Sequence, residues 1–121
     1  VTQNLAATVV QKQLDAYNAK DLDALLDAYA ADAEQYALHG PLLAQGHDAL
    51  RARFAERFTE PDLHARLVSR TVMGDFVTDL EVVTRNFPEG KGWVEMLCVY
   101  EVRDGRIQRA SFAVGIPLFS K

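Results

Sequence analysis

The sequence predicts an α+β domain, with three N-terminal helices packed on a mostly antiparallel sheet in the order ααβαββββ. Two observations carry this prediction. Apolar residues recur at three- and four-residue steps as far as Pro61, after which the period drops to two. The later strands are separated by hairpin chemistry: Gly74-Asp75, the loop Pro88-Glu89-Gly90-Lys91-Gly92, and Asp104-Gly105.

The first helix spans 4–19, with Ala6, Val9, Val10, Leu14 and Tyr17 as its apolar stripe. Gln13 interrupts that stripe, and an amide buried there without a partner would cost roughly 1–3 kcal/mol. Gln13 therefore needs a polar neighbour or a wet cavity. Asp21 is the expected N-cap of the second helix, followed by Leu22, Leu25, Leu26 and Tyr29 at i, i+3, i+4 and i+7. Residues 33–40, AEQYALHG, read as a short strand closing on His39 and a Gly40-Pro41 turn. The third helix covers 46–60, where Leu50, Phe54 and Phe58 are spaced by four and Asp48 favours the first turn.

The four later strands are expected at 64–73, 76–86, 93–103 and 106–115. For the last hairpin, a glycine bulge pairing Val102 with Arg106 sets Met96 opposite Phe112 and Cys98 opposite Ala110. One face then carries Val94, Met96, Cys98, Tyr100, Ala110, Phe112 and Val114. The tight-turn alternative, Arg103 with Arg106, would set Cys98 and Met96 beside Arg109, Ser111 and Ala113, so the bulged register is preferred.

Composition narrows the function classes. With 121 residues, 49% hydrophobic and 25% charged, the chain reads as one globular domain over 1–121, able to bury a core without metal or disulfide staples. A net charge of −4 argues against nucleic-acid partners, which call for a basic face. No apolar run suits a membrane span, and VTQNLAATVVQK lacks the charged start and apolar core of a signal peptide. Cys98 is the single cysteine, which excludes an internal disulfide and accords with a cytoplasmic location. His39, His47 and His64 have no metal-binding spacing, and there is no phosphate loop or nucleophile elbow. No metal and no cofactor are expected.

The element order, with LDAYNAKDLDALLDAYAADAE near the start and VYEVRDGRIQRASF near the end, resembles the nuclear transport factor 2-like superfamily. The resemblance is nearest to its SnoaL-like, ketosteroid isomerase-like branch. It implies a cystatin-like cone, in which a curved sheet wraps the first helix and leaves a conical pocket. It also implies a homodimer through the outer sheet face. Isomerases of this branch use a carboxylate base with a tyrosine and a protonated aspartate as oxyanion donors. Matched along the quoted motifs, those three positions fall on Ala37, Gln13 and Cys98, so classical steroid isomerase chemistry is disfavoured.

If Ala37 faces the cone, alternation sends Gln35 and His39 inward and Tyr36 outward. The expected ligand-binding lining is Gln13, Tyr17, Gln35, His39, Phe54, Phe58, Met96, Cys98 and Phe112, a largely apolar wall with a few hydrogen-bonding tips. It suits a small apolar or amphipathic molecule. His39 is the expected proton carrier of an isomerase, cyclase or dehydratase, since its pKa of about 6.5 lies near neutrality. The plainer readings are a half-exposed strand-end histidine and a cone that binds without catalysis. Cys98 reads as an inert buried thiol. The outer face is expected to carry Arg66, Arg70, Asp79, Glu81, Arg85, Trp93, Glu95, Leu97, Val99, Glu101, Arg109 and Ser111. Its Trp93, Leu97 and Val99 exceed the apolar content of a solvated face and suit the homodimer.

Overall fold

The computed structural model describes residues 5–120, so Asn4, the expected first residue of the opening helix, lies outside the described residues. Helix α1 (Leu5–Ala19) buries Ala6, Val10, Gln13 and Leu14, the expected stripe with the glutamine inside it. It ends at Lys20, whose left-handed φ of +55° turns the chain so that the Asp21 N–H reaches the Ala16 carbonyl at 2.9 Å. The Asp21 carboxylate then caps α2 (Leu22–Asp27), accepting from the Ala24 N–H at 3.1 Å.

Tyr29 opens strand β1 (Tyr29–Ala37) instead of closing the second helix. The Ile107 N–H takes the Ala28 carbonyl at 2.8 Å and draws the chain into the sheet at that point. The four-residue β2 (Leu42–Gln45) folds back on β1 and was not expected, since so short a run shows no readable alternation. Helix α3 (Gly46–Arg57) buries Leu50 and Phe54 and stops short of residue 60, with Phe58 as its C-cap.

The strands β3 (His64–Met73), β4 (Phe76–Phe87), β5 (Gly90–Arg103) and β6 (Arg106–Val114) occupy the expected places, and a two-residue β7 (Leu118–Phe119) follows. Sheet order is β2-β1-β6-β5-β4-β3, with β1 and β6 parallel and the remaining pairs antiparallel. Irregular pairings at Gln35/Tyr36, Leu67/Ser69 and Glu101/Val102 bend the strands, and the sheet stays open and curved around α1. Val10, Leu25, Tyr29, Leu50 and Ile107 are wholly buried between helices and sheet. Each such side chain contributes about 1.5–3 kcal/mol by leaving water.

The last hairpin differs in detail from the expected register. Arg103 pairs with Arg106 across a tight turn, and Asp104 and Gly105 both take positive φ, +53° and +76°. This is the I′ turn that matches strand twist. The bulge comes after the turn: Val102 faces Ile107 and Glu101 faces Arg109, so Gln108 is the extra residue. Cys98 therefore stands opposite Phe112 and Met96 opposite Val114. The offset from expectation is two residues, so the side chains keep the face assigned to them.

Candidate functional site

Between α1, α3 and the concave face of the sheet lies a cavity of about 80 Å³. Helix α1 supplies Gln13, Leu14 and Tyr17, and α3 supplies Arg53, Phe54 and Arg57. Tyr29 and Gln35 come from β1, Glu81 and Val83 from β4, and Phe112 from β6. Strand β5 adds Met96, Cys98 and Tyr100. Among the residues expected here, Gln13, Tyr17, Gln35, Phe54, Met96, Cys98 and Phe112 line the cavity. Phe58 does not; its ring packs edge-on against Tyr17 at 5.6 Å and forms part of the wall behind it.

His39 is carried away from the cone. Strand β1 ends at Ala37, and His39 sits exposed in the following turn with a left-handed φ of +57°. Alternation stops with the strand, so it no longer directs this side chain inward. His39 instead borders an open surface depression with Tyr36 and Arg109.

The larger correction concerns β4. Arg70, Asp79, Glu81 and Arg85 were expected on the outer face, yet Asp79 faces Cys98 and Glu81 faces Met96 on the concave side. Asp79 is 0% exposed and Glu81 5%. The phase of Val77 and Val83, both buried in step with the two acids, is the signal that could have found them. It was masked because Leu80 and Val82 make the opposite phase look the more apolar one.

The two carboxylates have different surroundings. Arg70 donates to both oxygens of Asp79, at 2.7 and 2.9 Å, and its third bond goes to the Gln11 amide oxygen at 2.9 Å. Glu81 has no such partner. Burial pushes its carboxyl up to about 7, and the Asp79 charge adds to this against a hydrogen bond from Cys98 and the charge of Arg70. Glu81 is thus a buried carboxyl that titrates near neutrality on the cavity wall.

Its neighbours are held neutral. Burial, and then the Glu81 charge, raises the Cys98 thiol far above its usual range. Burial likewise raises the Tyr29 and Tyr100 phenols. Tyr17 is pushed up to about 12 by burial, against the opposing charges of Arg57 and Arg85. These groups are hydrogen-bond donors at neutral pH. Arg53 Nε donates to the Gln35 amide oxygen at 3.2 Å, which leaves the Gln35 amide nitrogen directed to the Tyr29 hydroxyl at 3.5 Å. Among the described residues no side chain or carbonyl bonds the Gln13 side-chain amide, which lines the cavity. Among the described residues no group of three or more His, Cys, Asp or Glu is placed to hold a metal ion, and no helix is long and apolar enough to cross a membrane.

A helix-filled curved sheet with a polar-tipped cavity defines a nuclear transport factor 2-like cone. The family model described as SnoaL-like domain matches residues 10–110, and the chain belongs to this family. Among solved structures it is similar to an uncharacterised cystatin-fold protein from Novosphingobium aromaticivorans, at 24% identity and TM-score 0.82, covering 93% of this chain and 99% of that one. It is also similar to a Sinorhizobium meliloti protein with the provisional name polyketide cyclase, at 27% identity and TM-score 0.74, covering 88% and 94%. A third is a protein with a ketosteroid isomerase-like fold from Catenulispora acidiphila in complex with trimethylamine, at 18% identity and TM-score 0.77, covering 89% and 85%. No curated protein matches the chain.

Proposed function

We propose that the cone binds a small amphipathic molecule and that Glu81 moves a proton on it. The observation that carries this reading is the 5% exposed Glu81 carboxyl, poised near pH 7 in an apolar cavity. A general base works best with a pKa near the working pH. A carbonyl compound is the substrate class that such a group serves. The carboxylate takes a proton from the carbon beside the carbonyl, the C–H pair becomes a C=C bond as the carbonyl π pair moves to oxygen, and neutral phenols stabilise the resulting enolate. Tyr29 and Tyr100 line the cavity and supply such phenols. Return of the proton to another carbon gives isomerisation, and its transfer to a β-hydroxyl that departs as water gives dehydration. The cavity volume of about 80 Å³ favours a substrate well below the size served by sites of about 300 Å³ or more. In this reading Glu81 takes the role that the sequence suggested for His39.

The test is deuterium exchange of cyclohexanone in D₂O, followed by NMR. Glu81→Gln is expected to lower protein-catalysed exchange by a factor of about 100 or more while leaving binding intact. Equal exchange with both proteins overturns the assignment. A second reading, a cone that binds without chemistry, rests on Asp79: the other buried carboxylate is locked by Arg70 and offers no partner for two-group catalysis. Binding without exchange above buffer supports that reading.

The outer face supports a homodimer. Leu97 is exposed, with Leu80 and Ala113 as its cross-strand neighbours, and half-buried Trp93 and Val99 extend the apolar strip. A self-complementary patch of this kind suits a two-fold pairing of identical chains.

A further inference from the structure

We infer that the mouth of the cone is a carboxylate subsite, in which Arg53 and Arg57 take the anionic head of an amphipathic acid whose body enters past Tyr17, Phe54 and Met96. This rests on the cone as a small-molecule site and adds the class of molecule it takes.

Exposure locates the mouth. Within the same lining, Tyr29, Gln35, Cys98 and Tyr100 are 2% exposed or less, whereas Arg53 is exposed and the Arg57 side chain is 35% exposed. The two arginines are four residues apart on α3, so they stand on one helix face with their charges adjacent. Like charges at that spacing weaken a helix. The contacts that offset this are one bond from Arg53 to a neutral amide and one long contact from Arg57 to Glu60.

Nor are these charges balanced locally. Arg51, Arg70, Arg85 and Arg109 each pair with a carboxylate. Arg53 has only the neutral Gln35 amide, and among the described residues no carboxylate pairs with it. Arg57 reaches Glu60 at 3.5 Å, but that carboxylate already accepts both Arg85 bonds, at 2.8 and 2.9 Å, and the Asn86 N–H at 2.9 Å. Two guanidiniums, Arg57 and Arg85, thus share the Glu60 carboxylate, and Arg53 has none among the described residues. Burial, reinforced by the charge of Arg85, lowers the Arg57 pKa, as expected for a cation short of counter-charge.

A planar carboxylate matches the paired donors of a guanidinium, and the strong bond it makes is charge-assisted. The remainder of such an acid meets apolar walls from Phe54 and Met96, and its inner end reaches the Glu81 region. An acid of this kind would place its reacting carbon deeper than its head, next to the proton carrier.

The test compares acids with their amides, which have nearly the same shape and no charge. Phenylacetate with phenylacetamide, and acetoacetate with acetoacetamide, are titrated into the protein and followed by NMR shifts of cone residues. Each acid is expected to bind at least tenfold more tightly than its amide. Arg53→Gln should reduce that ratio several-fold, and Arg53→Gln with Arg57→Gln should abolish it while amide affinity stays unchanged. Arg53 is exposed, so the single variant remains decisive if the double variant fails to fold. Amides that bind the cone as tightly as acids overturn the carboxylate subsite and leave the cone reading standing. No shift of cone residues by any of the four compounds overturns both.

Discussion

Asp79 and Glu81 stand two residues apart on the same face of one strand, and only Asp79 holds an arginine of its own. Arg70 neutralises Asp79 through two parallel bonds, whereas Glu81 meets burial and the neighbouring negative charge together. The pair is thereby split into a carboxylate held by an arginine and a titrating acid.

That split predicts a pH dependence of stability. The Glu81 carboxyl titrates near 4.5 when unfolded and at about 7 when folded. Between these values the folded chain binds more protons than the unfolded one, so stability falls as pH rises through this window and levels off above it. The contribution lost is roughly 3 kcal/mol. Glu81→Gln should flatten the slope between pH 5 and 7 in urea denaturation. An unchanged slope would place the titrating group elsewhere.

Arg70→Met should cost about 3–5 kcal/mol, because Asp79 is then left charged and fully buried without a partner. Replacing both, Arg70→Met with Asp79→Leu, should restore most of that loss, as an apolar pair removes the desolvation cost with the charges. Urea midpoints of the two variants at pH 8 check this. A double variant as weak as the single one would show that the ion pair is a net source of stability.

Much of the fold was legible because burial and period agreed. The α1 stripe, the Asp21 cap and the four hairpin-linked strands each follow from local chemistry that tertiary packing reinforces. Gln13 and Tyr17 of α1, Phe54 of α3, Met96 and Cys98 of β5 and Phe112 of β6 were placed on the cavity side for the same reason. The β4 acids were not, because alternation assigns charged residues to water, and Asp79 and Glu81 invert that rule by sharing the buried phase with Val77 and Val83. Arg53 and Arg57 were also missed: on an amphipathic helix a long cationic side chain reads as solvated, and only the packing of α3 over the sheet turns these two to the cavity. His39 stands away from the expected lining for a different reason: strand β1 stops at Ala37, and His39 itself takes a left-handed φ in the turn.

Because His39 lies outside the cone, His39→Ala should leave cyclohexanone exchange and ligand affinity unchanged, and stability within about 0.5 kcal/mol. Exchange and thermal denaturation of this variant beside Glu81→Gln make the comparison. Loss of exchange in His39→Ala would restore the histidine as proton carrier.

The homodimer is tested at Leu97, which is 36% exposed in the middle of the outer face. Light scattering at micromolar concentration should give about twice the 13.5 kDa of one chain. Leu97→Glu should reduce it to the mass of one chain with the fold intact, since charge at the centre of an apolar interface opposes association. A native particle of one chain mass would sink the pairing.

Gly92 is the point at which the last strand depends on a missing side chain. A Cβ there would lie 2.5 Å from the Leu118 carbonyl oxygen and 2.8 Å from the Phe119 ring. Strand β7 is held by two pairings only, Gly92 with Phe119 and Trp93 with Leu118, so it is the element that yields. Gly92→Ala should release β7 and break the edge-on contact of Phe119 with Phe87 at 5.6 Å, a loss of about 0.5–1.5 kcal/mol. Amide exchange at 118–119 should rise to near that of free chain, while α1 and the cone stay protected. Gly74→Ala is the control: its φ of +58° makes alanine cost about 1–2 kcal/mol, yet nothing lies within 4 Å of the added carbon. That variant should lose similar stability with β7 still protected. Equal exposure of 118–119 in both would mean that β7 responds to overall stability and not to the contact at Gly92.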